Sequence, residues 1–504
     1  MESKLQVNQI FSNNMILQRD KQITVWGYCK KDAKVQVKIN CVNVYAAVEG
    51  TSWSAVLPPM KAVESTSMVK VSEDEKINIE NVGIGDVWLA GGQSNMEFYM
   101  RYDADYKTEV DLCENSNIRF YDVPEICYVG QNEDFDYSRM GYWRECNREN
   151  LEYYSAAAYY FAKNLQADLS VPIGIIGCNR GDSVSIAWMP EKTALIHGKI
   201  WIDEFRQKCG DQSVETWIDL CRKNPMMDRG NPFADVISDE LLYGISYEKQ
   251  EEIMAEIPEE MENHAGPDMK NRPGALYECM LETIKNIKIK GVIWYQGESD
   301  VIHAETYKGL IADLIDCWRE SFGEDIPFIM AQLAPLGQWM GCLGTDFPII
   351  RDAQRTVSLE KEQVYMISTS DVGLRYDIHP KKKKLVGERF ALCAREHTYG
   401  EKVLSDAPVG VRAERVDDII IIHFDNTGTG LHFREESENM LYVNNVLYDQ
   451  ENFTIENNRL LVSLKNMENK SKKIRIEFAQ SDYYKVNVYN SADIPAIPFV
   501  CNVE

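Results

Sequence analysis

The clearest chemistry in the chain lies in Gly85-Asp86-Val87-Trp88-Leu89-Ala90-Gly91-Gly92-Gln93-Ser94-Asn95-Met96. An apolar run reaches two glycines, then a serine, then a segment that reads as a helix start. Glycines permit a sharp turn and close backbone approach. A serine there projects from the carboxyl edge of a sheet, where backbone N–H groups and a helix N-terminus can stabilise an oxyanion. That is the setting of a nucleophile for acyl transfer. The other reading of Ser94 is a plain helix N-cap. The G-x-S-x-G nucleophile elbow is absent.

A serine nucleophile needs a base, and the chain has 7 histidines. His423 alternates with Ile422 and Phe424 in a strand pattern, and His432 lies in the same C-terminal region. His397 ends a helical pattern, where an imidazolium suits the helix dipole. His197 and His264 lie in or beside an acidic insertion, and His303 follows Gly291 to Ser299. His379 differs. It follows an apolar run in Arg375-Tyr376-Asp377-Ile378-His379-Pro380, and Pro380 suits the first turn of a following helix. Asp377, two residues upstream, is near enough to hold the imidazole in one tautomer. Two more turns join the set. Gly174 to Asp182 carries Gly181, whose N–H can face an oxyanion, and Gly291 to Ser299 carries Gln296, whose side-chain amide can do the same.

These four groups need a scaffold that gathers them on one edge. From 83 to 404, short apolar runs alternate with longer helical patterns, which marks a parallel sheet with crossover helices. The strands are expected at Val87–Ala90, Ile173–Gly177, Val292–Tyr295, Phe328–Ala331 and Val364–Thr369, and helices at Leu151–Ala167, Glu305–Glu320 and Leu385–His397. The pattern predicts an α/β fold with a flavodoxin-like doubly wound parallel sheet. Ligands of such sheets bind outside the carboxyl ends of the strands. Residues 203–275 interrupt the rhythm as an acidic insertion, either a solvated excursion or a lid. Residues 1–82 read as a small β-sandwich-like domain and 405–504 as a second β-domain. Ile23–Gly27, Val35–Ile39, Ile419–Phe424, Leu441–Val443, Leu460–Leu464 and Ile474–Phe478 are short strand patterns between turn residues.

Composition narrows the function. Of 504 residues, 79 are acidic and 54 basic, so the net charge of −25 disfavours phosphate backbones and anionic membranes. No apolar run approaches the ~18 residues of a membrane span. Neither a secretory leader nor a C-x-x-C pair is visible among 13 scattered cysteines, which predicts a cytoplasmic protein with reduced thiols. The histidines lack ligand spacing, and H-E-x-x-H is missing, so neither metal nor cofactor is implied.

The motifs together resemble the sialate O-acetylesterase group of the SGNH hydrolases, over nearly the whole chain. Phe11 to Asp20 and Val25-Trp26-Gly27 are similar to that family's opening β-domain, and Gly85 to Met96 to its nucleophile block. Val292-Ile293-Trp294-Tyr295-Gln296-Gly297-Glu298-Ser299 resembles its third block, Asp377-Ile378-His379-Pro380 the block of the base, and Asn490 to Phe499 its closing segment. Two positions depart from the pattern. Arg180-Gly181-Asp182 stands where the family has Trp-Gly-Gly, and Asp377 precedes His379 by two residues rather than three. Asp371 or a backbone carbonyl is therefore an alternative orienting group. Arg180 is an available partner for the Asp182 charge.

The resemblance implies a serine esterase that removes O-acetyl groups from mono- or oligosaccharides, sialic acid or plant-derived, through an acyl-enzyme. Ser94 would be the nucleophile, His379 the base and Asp377 its orienting acid. The N–H groups of Ser94 and Gly181 and the Gln296 amide would hold the oxyanion. Trp188 with Met189, Tyr277, Glu298, His303 and Arg351 are the substrate-binding candidates, with core packing the other reading of Trp188. Arg119 and Arg180 read either as partners for a sialate carboxylate or as structural ion pairs, and Lys381–Lys384 as a solvated helix start. The β-domains brace the sheet or bind glycans; a homo-oligomer is open. Two other functions compete: a lipase-like or thioester hydrolase of the same fold, and a carbohydrate-binding protein without catalysis.

Overall fold

In the computed structural model, the described residues are 4–71, 75–128, 130–131, 137, 140–223, 246, 248–249, 252, 265–323, 326–464 and 473–503. A 17-residue strand, β1 (Lys76–Gly92), is the spine of the central sheet. Its first half alternates exposed and buried residues, and from Val82 onward every residue is buried. That change in pattern is a change in surroundings. The first half forms part of an N-terminal sheet, and the second half is a central strand covered on both faces.

Six more strands complete the central sheet: β2 (Asn115–Asp122), β3 (Trp143–Cys146), β4 (Ile173–Asn179), β5 (Gly291–Tyr295), β6 (Phe328–Ala331) and β7 (Val364–Ile367). Their order is β3-β2-β4-β1-β5-β6-β7. All neighbours are parallel except β3, which pairs antiparallel with β2 at the edge. The five strands expected from sequence are all present, and β4 and β5 lie on either side of β1. The chain therefore leaves β1 in one direction and later returns to build in the other, which opens a crevice beyond its carboxyl end.

Helices cover both faces. α1 (Ser94–Glu97) is a single turn after β1; the longer helices are α2 (Ala156–Leu169), α3 (Tyr307–Phe322), α4 (Phe347–Glu360) and α5 (Lys383–Cys393). Alternate residues of the strands point into two cores. Trp88, Ala90, Ile175 and Ile293 pack with α2 and α5, whereas Leu89, Ile176, Val292 and Trp294 pack with α3 and α4. Ser155 caps α2, accepting from Ala158 N at 3.2 Å while its hydroxyl donates to Met96 O at 2.5 Å. The cap of one helix thus fixes the turn that carries Ser94.

The sequence reading missed β2, β3 and α4. β2 is half polar, and Arg119 within it is 1% exposed. Its guanidinium donates to the carbonyls of Asn14, Met15 and Glu64, welding β2 to the N-terminal domain. The expected boundary at 82/83 falls inside β1, because Ile16–Gln18 runs parallel with Gly83–Gly85 and Val63–Val71 runs antiparallel with the first half. Among the described residues, the C-terminal region forms two four-stranded sheets and a two-stranded one, with a core that includes Ile422, Phe424, Leu441, Phe478 and Phe499. Lys199–Cys209 and Val214–Lys223 are helices at the start of the acidic insertion; most of the rest of it, His264 included, lies outside the described residues. No helix among the described residues is long and apolar enough to cross a membrane.

Candidate active site

Gly92 ends β1 at φ +140°, and a Cβ there would stand 2.1 Å from Tyr295 O. Only glycine fits so close to β5 in that conformation. The chain then turns sharply and presents Ser94. Gln93 secures the turn from the side: its Oε1 accepts from Gly297 N at 3.1 Å and Ser299 N at 3.3 Å, and its Nε2 donates to Ser299 Oγ at 3.2 Å. The expected helix start is present, but α1 is only one turn long, so its dipole contributes little to the serine.

His379 arrives from the loop after β7. Its Nε2 is 3.0 Å from Ser94 Oγ. The ring is 2% exposed, stacked 6.5 Å from Phe98 and edge-on to Trp339 at 5.0 Å. Burial pushes its pKa down to about 4, although Asp377 pulls in the other direction. The imidazole is thus neutral and able to accept a proton at physiological pH. Asp377 Oδ1 accepts from the His379 backbone N–H at 2.8 Å and lies 3.6 Å from Nδ1, beyond hydrogen-bond length. Its Oδ2 is 3.0 Å from Lys381 Nζ. Burial alone would raise the Asp377 carboxyl; the hydrogen bonds and charges of His379 and Lys381 outweigh it and keep it ionised. Asp371 is committed elsewhere, forked by Arg389 at 2.7 Å on both oxygens, so it does not reach His379 as an alternative orienting acid.

A polar lattice holds the pair together from beneath. Asn95 Nδ2 donates to Glu298 Oε1 at 2.5 Å and to Ile378 O at 2.9 Å, and its Oδ1 accepts from Lys383 Nζ. One side chain therefore ties the serine turn, the third block and the histidine loop. Lys383 is fully buried, which lowers its pKa to about 7 despite the charge of Glu298. Burial raises Glu298, partly offset by Asn95. Its Oε2 has no hydrogen-bond partner among the described residues.

The oxyanion side departs from the sequence expectation. Gly181 stands next to Ser94, but its N–H donates to Glu97 Oε2. Gln296 is 0% exposed, and its amide donates to Ser183 O at 3.1 Å and to Asp300 Oδ2, so it has no hydrogen left for an oxyanion. Ser94 N–H has no acceptor among the described residues. Asp182 adopts φ 55°, the left-handed conformation that explains a family glycine at this position. Its side chain is 76% exposed, 3.6 Å from Lys270 Nζ and 3.3 Å from Ser299 Oγ. Arg180 does not neutralise it but pairs with Glu125 at 2.8 Å in the interior.

Four of the five substrate-binding candidates are placed elsewhere. Trp188 is fully buried, its Nε1 donating to Ser183 Oγ at 2.9 Å and its rings perpendicular to Trp294 and close to perpendicular to Trp318. Tyr277 packs on the core and shares a 3.1 Å hydrogen bond with Ser321. Arg351, fully buried, donates to Ser481 O at 3.1 Å and Asp482 O at 2.9 Å, bonding α4 to the C-terminal domain. His303 packs edge-on against Trp201 at 4.7 Å with Glu204 beside it. Glu298 alone is beside the serine turn, held by Asn95.

Reading the sequence missed Glu97 and Trp339, and it took Lys381–Lys384 for a solvated helix start, whereas Lys383 is fully buried because its ammonium bonds Asn95 beneath the pair. Trp339 belongs to a hairpin of Gln338–Trp339 and Cys342–Leu343. Its turn, Met340-Gly341, has φ of 43° and 78°, the two left-handed residues that a tight hairpin requires. A residue pair ending in glycine between short apolar runs was a signal available in the sequence.

Comparison with known proteins agrees with the motifs. Residues 260–394 match the family model described as carbohydrate esterase, sialic acid-specific acetylesterase. The chain is 24% identical over 428 residues to a sialate O-acetylesterase of Mus musculus, covering 78% of this chain and 73% of that one. For the Homo sapiens protein of the same name the figures are 25% over 429 residues, 78% and 71%. A solved carbohydrate acetylesterase from Xanthomonas citri shares the fold, with a TM-score of 0.75 at 24% identity over 98% of this chain and 99% of that one.

Proposed function

We propose that this chain, similar in motif and length of match to the sialate O-acetylesterases, is a serine esterase that removes O-acetyl groups from carbohydrates. The observation that carries the reading is the 3.0 Å contact of His379 Nε2 with Ser94 Oγ, at the carboxyl edge of β1. His379 takes the Ser94 proton as Oγ attacks the acetyl carbonyl, forming a tetrahedral oxyanion. Collapse expels the sugar alkoxide, which His379 protonates. Water, deprotonated by the same imidazole, then attacks the acyl-enzyme and releases acetate. Asp377 orients the histidine through its backbone N–H and favours the imidazolium by its charge. The oxyanion is held by the N–H groups of Ser94 and of Gly181, the latter once the Glu97 carboxylate gives way.

The order of the five expected strands supports a flavodoxin-like sheet of the SGNH type. The 12 cysteines whose side chains are described form no disulfide, which favours a reducing compartment such as the cytoplasm. Ser94→Ala tests the mechanism directly. Acetate release from acetylated oligosaccharides should fall by about 10³-fold or more; near-normal turnover would sink the proposal. Faster cleavage of long acyl esters than of acetyl esters would favour a lipase-like enzyme instead.

A further inference from the structure

Three groups ring the Ser94–His379 pair without a part in its proton transfer. Trp339 is half-buried and meets His379 edge-on, with ring centroids 5.0 Å apart. Across the hairpin ladder from it is Cys342, whose thiol, already raised by burial, is raised further by the charges of Glu298 and Asp182. Asp182 follows Gly181, where an added Cβ would lie 3.7 Å from Ser94 Cβ, and shows most of its side chain to solvent. Contacts run from Ser94 through His379 to Trp339 and its ladder partner Cys342 on one side, and on the other Asp182 is joined to the serine turn by Ser299, which bonds Gln93. The pair thus has one large aromatic side chain and one exposed carboxylate at its rim. Aromatic faces suit the C–H faces of pyranose rings, and a carboxylate accepts hydrogen bonds from hydroxyls.

The hairpin is anchored rather than free-standing. Gly337 N and Gln338 N donate to Arg375 O at 3.1 and 3.0 Å, Gly344 N closes it on Gly337 O at 3.0 Å, and Leu336 N donates to Asp482 O at 3.2 Å. The indole is therefore held against the histidine loop and the C-terminal domain before any substrate arrives. A platform ordered in advance spares the entropy of ordering it on binding.

We propose that Trp339 is the stacking platform for the pyranose ring that carries the scissile acetyl group, and that Asp182 accepts hydrogen bonds from that ring's free hydroxyls. The inference rests on the esterase reading and assigns it a sugar subsite. It makes Trp339 a specificity-determining residue: its contribution belongs to the sugar, not to the acetyl group.

The test measures acetate release from two substrates with the same acyl group, an acetylated xylo-oligosaccharide and the acyclic ester triacetin. Wild type, Trp339→Ala, Trp339→Phe and Asp182→Asn are compared, with Ser94→Ala as the blank. Trp339→Ala should lower the ratio of the two kcat/KM values, sugar over triacetin, by about tenfold, mainly through KM. Trp339→Phe should restore most of the ratio, and Asp182→Asn should lower it by roughly threefold. An unchanged ratio in Trp339→Ala overturns the platform, because the indole then only packs on His379. So does a wild type that cleaves triacetin in a Ser94-dependent way but no sugar ester. If wild type cleaves neither, the esterase reading itself falls, and this one with it.

Discussion

The charge state of His379 is decided by burial. Its ring is 2% exposed, so the desolvation that favours the neutral form exceeds the pull of Asp377, and the pKa sits at about 4 instead of 6.5. In the proposed mechanism His379 acts as the base when neutral. Rate should therefore be lost only as pH falls through about 4, and kcat/KM for triacetin should be level from there up to neutrality. An acid limb centred near 6.5 would contradict the geometry. Stability follows the opposite partner in the linkage. Between about 6.5 and 4 the unfolded chain takes up a proton that the folded one refuses, so this group makes the fold less stable as pH drops through that window. Glu97 shows a second local decision. The Glu97 carboxylate, three residues after Ser94, occupies the Gly181 N–H, so in the proposed mechanism that donor has to be released before it can serve an oxyanion.

Elements place these residues through a few close approaches. β1 and β5 run parallel with Gly92 opposite Tyr295, and the turn to Ser94 exists because the missing Cβ lets the strands meet. Gly92→Ala forces an overlap with Tyr295 O at a φ that other residues avoid. Its cost should be on the order of 3 kcal/mol or more, read as a lower thermal midpoint or loss of soluble protein. A variant of wild-type stability would show that the turn tolerates a Cβ. The strand and helix patterns were legible where one period dominated: β6 spans Phe328–Ala331 as expected, and α3 covers most of Glu305–Glu320. β2 was not legible, since its polar residues Asn115, Arg119 and Asp122 find partners elsewhere in the fold, 22 to 105 residues away in sequence. Arg119 is the clearest case, because its burial makes sense only once the carbonyls of Asn14, Met15 and Glu64 surround it.

At the scale of the whole molecule, the flanking β-domains share structure with the catalytic sheet. The N-terminal domain continues into it along β1. The C-terminal domain is tied to it by Arg351 from α4, whose guanidinium also lies 4.9 Å over the Tyr484 ring. Charge-assisted hydrogen bonds of this kind are worth about 1.5–3 kcal/mol each, and their loss leaves buried carbonyls without donors. Arg351→Ala should therefore lower stability by roughly 3–5 kcal/mol, seen in chemical denaturation. If Arg351 instead bound substrate, the variant would raise KM with an unaltered unfolding curve.

The sequence by itself determined which segments alternate apolar and polar residues, which turns need glycine, and the succession of blocks carrying Ser94, Gly181, Gln296 and His379. These are local properties, written in residue type and short spacing. Only the tertiary structure decided which groups retain free hydrogen-bonding capacity. Gln296 and Gly181 have the right chemistry for an oxyanion, yet the amide of one is spent on Ser183 and Asp300 and the N–H of the other on Glu97. The same holds for Trp188 and Trp339: both are tryptophans, but one lies among Trp294 and Trp318 in the core and the other stands at the rim beside His379. Satisfaction and exposure depend on neighbours far away in the chain, and only folding brings them together.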